Sequence, residues 1–519
     1  MRPVFTADEM RRVDQRAIRE LGIPGATLME NAGRGAAACI QASLPELGLP
    51  RRGVRVAVVC GKGGNGGDGF VVARSLKRGG HRVEVFLLAR REEVRGDAGV
   101  KLREMERRGI RARVLDEAAG LARALPAAQL VVDAMLGTGA RGAPEPLVAG
   151  AIEQVNACGR PVVALDVPSG LPADGGMPEG PAVRAALTTT FAGLKRALVS
   201  GPGVELAGRV AVVDIGVPPA EVGRGAATFV LDAGDVARQL PRRARDSHKG
   251  SYGHLLVIAG SVGKTGAAAL AARAAMRSGV GLVTVATAAG AQPVVASLLL
   301  EAMTEPVPDT PSGTMASKAR GRLGELAERR DAVAVGPGLG LDDDTQALAR
   351  SLVFEFRQPM VADADALTAL AGHLDHLRGA PAARCLTPHP GEMARMLGAT
   401  VADVERDRIA TVRQFATAWG VHVVLKGGTS VIGLPDGMVL LNPTGNPGMA
   451  SGGTGDVLTG VLGAFLARGM APGAAVAAAV YLHGLAGDVA AERVGQESLV
   501  AGDVIEALPE AFRRVGAGH

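Results

Sequence analysis

At 519 residues the chain is too long for one ordinary hydrophobic core and calls for two large domains. A composition of 47% hydrophobic and 21% charged residues is that of a globular protein, and 3% aromatic residues supply too few rings for a platform that stacks single-stranded nucleic acid. The net charge of +5 sits largely on arginines in short clusters such as Arg51-Arg52 and Arg242-Arg243, which read as solvated surface charge with a mild pull on anionic nucleotides.

The four cysteines, Cys39, Cys60, Cys158 and Cys385, form no CxxC pair, so neither a zinc site nor a disulfide framework is expected. Reduced thiols and a cytoplasmic setting are the expectation. Met1 to Phe5 show no apolar leader, and no membrane span is expected; the alanine-rich run at 473–480 reads as a buried helix.

In chain order, Thr6-Ala7-Asp8-Glu9 is a capping box that opens a helix. Strands are expected at 54–60, 83–88, 130–135, 161–167 and 210–215, with a glycine loop at 61–69 and a helix near 70–77. Alternation of this kind means a parallel sheet covered on both faces. The polar segment 240–250 breaks the rhythm and places the domain junction near it, so the domains are taken as residues 1–225 and 226–519. The pattern then restarts, with strands at 254–259, 281–286, 332–335, 360–362, 385–386 and 421–425, and a hairpin around Pro435-Asp436-Gly437. The fold class is α/β in both halves, each a three-layer sandwich.

Polar and glycine-rich motifs follow the strands, where open α/β sheets bind ligands. In the first half these are Gly61-Lys62-Gly63-Gly64-Asn65-Gly66-Gly67-Asp68-Gly69, the loop from Asp133 through Gly137-Thr138-Gly139, and Asp166-Val167-Pro168-Ser169-Gly170. Their oxygens suit a hard cation. In the second half, Asn446 to Asp456 packs glycines before an apolar run that reads as helix, a place where backbone N–H groups and the helix dipole gather around a phosphate. An acid there repels phosphate, so Asp456 points to proton chemistry, that is, phosphoryl transfer to a hydroxyl with Asp456 as base. Lys426, after a strand and before Gly427-Gly428, is placed to reach a phosphate. Asp363 and Asp365 either hold Mg²⁺ or water or are plain loop residues. Gly260 to Thr265 mimics a Walker A loop but lacks glycine at Ile258, so it is not one.

With these residues in view, the first half resembles the YjeF N-terminal family of NAD(P)H-hydrate epimerases, through Leu28-Met29-Glu30-Asn31-Ala32-Gly33 and the three loops above. The second half resembles the YjeF C-terminal family of ADP-dependent NAD(P)H-hydrate dehydratases, a ribokinase-like fold, through Gly266-Ala267-Ala268, the loop Gly336 to Gly340, Thr387 to Glu392, Lys426 to Thr429, and Asn446 to Asp456.

The first resemblance implies a Rossmann-like domain with potassium on Asn65, Asp133 and Ser169. It assigns hydrated cofactor to Gly64, Asn65, Gly66, Gly67 and Asp68, to Gly137, Thr138, Gly139, Ala140, Arg141, Gly142 and Ala143, and to Asp166, with Asp166 handling the proton. The family loop usually reads GNNGGDG, and Gly64 stands where its first asparagine is expected. The second resemblance implies that Ala267, Gly338, His389 and Asp456 hold the hydrated cofactor. Lys426, Gly427, Gly428, Thr429, Ser430 and Gly455 would then hold the adenosine nucleotide, ADP with Mg²⁺. The expected activity is repair of NADHX and NADPHX, with ADP converted to AMP and phosphate. The expected partners are small molecules, neither nucleic acid nor membrane, and relatives of this fold commonly form homo-oligomers. The alternative is a ribokinase-type small-molecule kinase carrying a regulatory ligand-binding domain.

Overall fold

The computed structural model describes residues 1–516. The chain forms two compact units, residues 2–226 and the part from Ala227 onward. The boundary falls ahead of the polar segment 240–250, which lies within the second unit.

The first unit carries strands β1 (Arg2–Phe5), β2 (Arg55–Cys60), β3 (Arg82–Leu87), β4 (Ala112–Val114), β5 (Leu130–Ala134), β6 (Val162–Leu165), β7 (Leu187–Phe191), β8 (Leu194–Lys195) and β9 (Arg209–Val213). Seven of them build one sheet in the order β4-β3-β2-β5-β6-β7-β9, every neighbouring pair parallel. β1 and β8 pair with each other in parallel outside it. The strand order reverses between β2 and β5, so the loops leaving Cys60 and Ala134 open onto a topological switch point, the crevice where such sheets bind ligands. The runs Val56–Cys60 and Leu130–Ala134 are buried throughout, as strands covered on both faces must be. The Thr6–Glu9 capping box forms, with the Thr6 hydroxyl accepting from the Glu9 N–H.

The second unit carries β10 (Thr228–Val230), β11 (His254–Ile258), β12 (Leu282–Ala288), β13 (Met303–Val307), β14 (Ala332–Val335), β15 (Met360–Ala362), β16 (Arg384–Leu386), β17 (His422–Leu425), β18 (Val431–Gly433) and β19 (Val439–Leu441). Their order is β13-β12-β11-β14-β15-β16-β17-β18-β19-β10. All pairs are parallel except β17–β18 and β18–β19, the hairpin around Asp436. Here the reversal falls between β11 and β14. The helix Thr454–Ala467 is buried at every residue from Val457 to Ala467. It lies against the helix Thr265–Arg277 so closely that a Cβ on Gly460 would come within 2.0 Å of the Ala271 carbonyl oxygen. The 23-residue helix Pro472–Val494 is long and apolar enough to cross a membrane by length and composition, yet 78% of its most apolar window is buried inside the protein.

Candidate functional site

The segment expected as a loop at 61–69 is mostly helix: the helix Gly64–Arg78 starts at Gly64, which sets Asn65 on its first turn and Asp68 at the start of its second. The glycines serve close packing rather than looseness. A Cβ on Gly66 would sit 2.0 Å from the Gly61 carbonyl oxygen, and one on Gly69 would sit 2.6 Å from the Ala134 Cβ. The helix N-terminus is thereby pressed into the crevice between β2 and β5. Gly64 is different, since a Cβ there meets nothing within 4 Å.

Asp133, near the end of β5, is fully buried. Its carboxylate accepts the Ser169 hydroxyl at 2.6 Å, the Ser169 N–H at 2.8 Å and the Met135 N–H at 3.2 Å. Burial lifts its pKa to about 6 against the lowering effect of these bonds. The Asn65 amide donates to the Leu136 carbonyl at 2.7 Å, while its own carbonyl oxygen, Oδ1, is buried without a hydrogen-bond partner. An orphaned buried acceptor is costly unless something positive meets it. An amide oxygen, a carboxylate and a hydroxyl around one crevice are the donor set a hard monovalent cation takes. These residues therefore fit the cation the family pattern implies. No group of three His, Cys, Asp or Glu side chains able to hold a metal occurs among the described residues.

Asp166 follows β6 with φ of 64°, a left-handed conformation that a non-glycine residue adopts at a cost. Its Oδ2 accepts the Thr138 N–H at 3.2 Å, and its Oδ1 lies 2.6 Å from the ammonium of Lys195, which is 1% exposed. Burial would raise the Asp166 carboxyl, but Lys195 and the Thr138 contacts outweigh it and hold it below the usual range. Asp68 moves the opposite way, pushed well above that range by burial and then by the charges of Asp166 and Asp14. Asp14 is lifted to about 6, first by burial. A base and an acid are thus separated by environment alone. Gly137 stands between the two sides of the crevice: a Cβ there would lie 3.2 Å from the Asn65 Cβ and 3.4 Å from Asp166 Oδ2. The rest of that loop is more exposed. Ala140 closes a turn onto the Gly137 carbonyl, Arg141 pairs with Asp8 at 3.1 Å, Gly142 has φ of 70°, and Ala143 faces solvent. Sequence reasoning missed Lys195 and Asp14. Lysine directly after an apolar residue in the short strand β8 was the available signal for a buried counter-ion.

In the second unit a cavity of about 470 Å³ is lined by Lys264, Ala267, Gly338, Asp365, Gly453 and Asp456, among others. Three of the four residues assigned to the hydrated cofactor meet there. Gly338, with φ of 64°, leaves no room for a side chain beside the Ala267 Cβ, 3.1 Å from where its own Cβ would sit. Asp456 is the third residue of the helix Thr454–Ala467. Burial, reinforced by Asp363 and Asp365 and opposed by Lys426, raises its pKa to about 6.

Behind it, Asp363 is 1% exposed. It accepts the Lys426 ammonium at 2.8 Å on one oxygen and the Thr459 hydroxyl at 2.8 Å on the other. Burial would lower the Lys426 ammonium, but Asp363 and Glu392 reverse this and raise it, so it stays charged. A Cβ on Gly455 would lie 3.3 Å from that ammonium, so the helix N-terminus and the lysine converge on one spot. Ala364, at φ of 50°, is the strained link that turns Asp363 one way and Asp365 the other, where Asp365 accepts the Gly340 N–H at 2.8 Å. The segment from Gly427 to Ser430 is partly exposed and is braced by Arg408, whose guanidinium donates to the carbonyls of Leu425, Lys426 and Thr429. A Cβ on Gly427 would strike that guanidinium at 2.6 Å.

His389 is placed differently from its three companions. Its Nδ1 accepts the Gly391 and Glu392 N–H groups and caps the helix Pro390–Leu397, and His389 does not line the cavity. Burial and then Lys426 lower its pKa, so the ring is neutral and Nε2 carries the proton. Lys264, seen in the sequence only as part of a failed Walker motif, lines the cavity and pairs with Asp365 at 3.4 Å.

Residues 25–197 match the family described as YjeF-related protein N-terminus, and residues 255–510 match the family described as NAD(P)H-hydrate dehydratase. The bifunctional NAD(P)H-hydrate repair enzyme Nnr of Moorella thermoacetica is 45% identical over 516 residues, covering 99% of this chain and 97% of its own. That of Escherichia coli is 35% identical, covering 97% and 93%. The ADP/ATP-dependent NAD(P)H-hydrate dehydratase of Bacillus subtilis, co-crystallised with ATP and Mg²⁺, is 33% identical over 55% of this chain and 98% of its own, with a TM-score of 0.49. Similarity at this level along both units shows that the chain belongs to the family of bifunctional NAD(P)H-hydrate repair enzymes.

Proposed function

We propose that the first unit interconverts the R and S epimers of NADHX and NADPHX, and that the second dehydrates the S epimer with ADP, giving NADH or NADPH, AMP and phosphate. The observation that carries the second half of this reading is Asp456, a carboxylate raised to about 6 on the first turn of a buried helix, facing a cavity and backed by the charged Lys426–Asp363 pair.

In the second unit Asp456 takes the proton from the hydroxyl on the ring carbon beside the nitrogen, and that oxygen attacks the terminal phosphoryl of ADP. The bond to the AMP phosphate breaks. The ring nitrogen then expels the new phosphate ester, and loss of a proton from the adjacent carbon restores the dihydronicotinamide. Lys426, the glycines 427, 428 and 455, Thr429 and Ser430 bind the nucleotide, and the helix N-terminus stabilises the charge that develops on the transferring oxygens. Mg²⁺ held with ADP would draw charge from its phosphates.

In the first unit the ionised Asp166, fixed by Lys195, manages the proton as the same C–O centre opens and recloses. Asp68, whose carboxyl is pushed up by burial and by the charges of Asp166 and Asp14, would serve as a proton donor beside it. Asn65, Asp133 and Ser169 would hold potassium, which supplies a fixed positive charge that ties the three loops together. The four cysteines are free, which suits a cytoplasmic setting.

The test is to incubate the protein with mixed epimers of NADHX, potassium, Mg²⁺ and ADP and to follow NADH by absorbance. Full conversion, faster than spontaneous epimerisation, is expected. A stop at the S fraction would remove the epimerase assignment. Accumulation of a phosphorylated product without NADH would replace the repair reading with a kinase.

A further inference from the structure

The first unit contains a second cavity, of about 560 Å³, between the helices Gly25–Ser43, Gly64–Arg78 and Gly96–Arg107. Its floor is a four-charge network. Arg74 reaches Glu30 at 2.5 Å and Glu104 at 2.7 Å, and Lys101 reaches the same two carboxylates at 3.0 and 3.4 Å. Arg74 and Lys101 are 10% and 7% exposed, so this floor is built rather than draped on the surface. Two cations and two anions cancel there.

The walls are not balanced. Arg34, Arg78, Arg107 and Arg108 also line the cavity, and none of their guanidinium groups makes an ion pair or hydrogen bond among the described residues. Complementing helix dipoles accounts for Arg78 and Arg107, each in the last turn of its helix. It does not account for Arg34, which sits mid-helix on a third element and faces the same space. Folding gains nothing from gathering four unpaired guanidinium groups around one concavity. An anion that takes up their forked donors gains a great deal.

The geometry points to a binding site for a small oligophosphate, two or more linked phosphate groups, in this arginine-walled cavity. Inorganic oligophosphate and the phosphate tail of a nucleotide share that chemistry. The site is separate from the Asn65–Asp166 crevice: Asn65 and Arg78 stand at opposite ends of one helix, about 20 Å apart at 1.5 Å per residue. It does not depend on the repair reading.

The experiment is calorimetric titration of the full-length protein with sodium tripolyphosphate, and separately with a non-hydrolysable nucleoside triphosphate, at about 0.1 M salt. The second unit has its own phosphate-binding residues, so the quantity read is the difference between wild type and Arg78→Glu/Arg108→Glu. The double variant is expected to lose one binding site, or at least about a hundredfold in affinity at it, with an unchanged circular dichroism spectrum and unchanged NADH production. Arg78→Lys/Arg108→Lys, which keeps the charge and loses the fork, is expected to lose about tenfold. Stronger binding of the nucleotide than of tripolyphosphate at this site would identify the nucleotide as the ligand, and equal binding would identify the phosphates alone. Identical titrations for wild type and the charge-reversed variant would overturn the proposal. So would saturable binding of an oligonucleotide at these arginines without binding of tripolyphosphate.

Discussion

Replacing Asp456 by Asn separates the two consequences of burying a carboxylate at a helix N-terminus. In the folded protein its pKa rises from 3.8 to about 6, mainly through burial. At about 1.4 kcal/mol per pH unit this corresponds to about 3 kcal/mol, and partial exposure with the neighbouring Lys426 reduces it to roughly 1–2 kcal/mol. The sign follows from linkage. A carboxyl whose folded-state pKa lies above its unfolded value favours the fold below pH 3.8 and loses that contribution as pH rises through about 6. At pH 7.5 the ionised Asp456 therefore costs stability, and asparagine, which is never charged, removes the cost. The expected result is a melting temperature of the second unit higher by roughly 2–6 °C at pH 7.5, with the gain shrinking towards pH 4. The same variant loses its base, so S-epimer dehydration with ADP falls by about 10²–10⁴-fold. Scanning calorimetry at several pH values and NADH absorbance on resolved S-NADHX read the two effects. A variant within about tenfold of wild-type activity refutes Asp456 as the base. A melting temperature that falls at every pH refutes the burial argument.

Wild-type dehydration should decline below about pH 6 along a limb of one proton, since only ionised Asp456 accepts the hydroxyl proton, and a flat profile from pH 5 to 8 would exclude it. Lys195→Met leaves the Asp166 carboxylate buried without its partner. It should destabilise the first unit by about 3 kcal/mol, raise the Asp166 pKa and slow epimerisation about a hundredfold while the second unit still dehydrates S epimer, and unchanged epimerisation would count against the pair. Gly64→Asn has room for its side chain and no positive φ to oppose it. Stability should stay within about 0.5 kcal/mol and KM for the hydrated cofactor should fall about fivefold, whereas a clear loss of stability would show that the site needs glycine. Exchange of potassium for lithium should slow epimerisation about tenfold and leave S-epimer dehydration nearly untouched, and equal rates in both salts would remove the cation from the Asn65 site.

Much of this protein is legible from its chain alone. Buried apolar runs ending in Gly, Asp and Ser announce parallel strands with ligand loops, and the glycines before Asp456 announce a helix N-terminus that needs close approach. Local chemistry suffices there, because a turn and a cap are decided within a few residues. The sequence also marks Asp133, Asp166 and Asp456 as acids at strand or helix ends. It misplaces the start of the helix at Gly64, because glycines that serve close packing look the same in sequence as glycines that serve a loop. It passes over the β7–β8 segment, where Leu187-Thr188-Thr189-Thr190-Phe191 and Lys195 lie in neither an alternating nor a long apolar pattern.

What only the tertiary structure decided is the state and company of each charge. Lys195 comes from a strand 29 positions away from Asp166. Asp363 grips Lys426 and Thr459 from another strand end. Arg408 braces Gly427 from a helix, and His389 turns its ring to a helix cap. The sequence by itself determined two α/β halves and the family of chemistry at their strand ends, since those follow from periodicity, turns and caps. Which carboxylate is a base and which an acid depends on burial and on partners distant in the chain, and these exist only once the sheets reverse their strand order and bring the loops together.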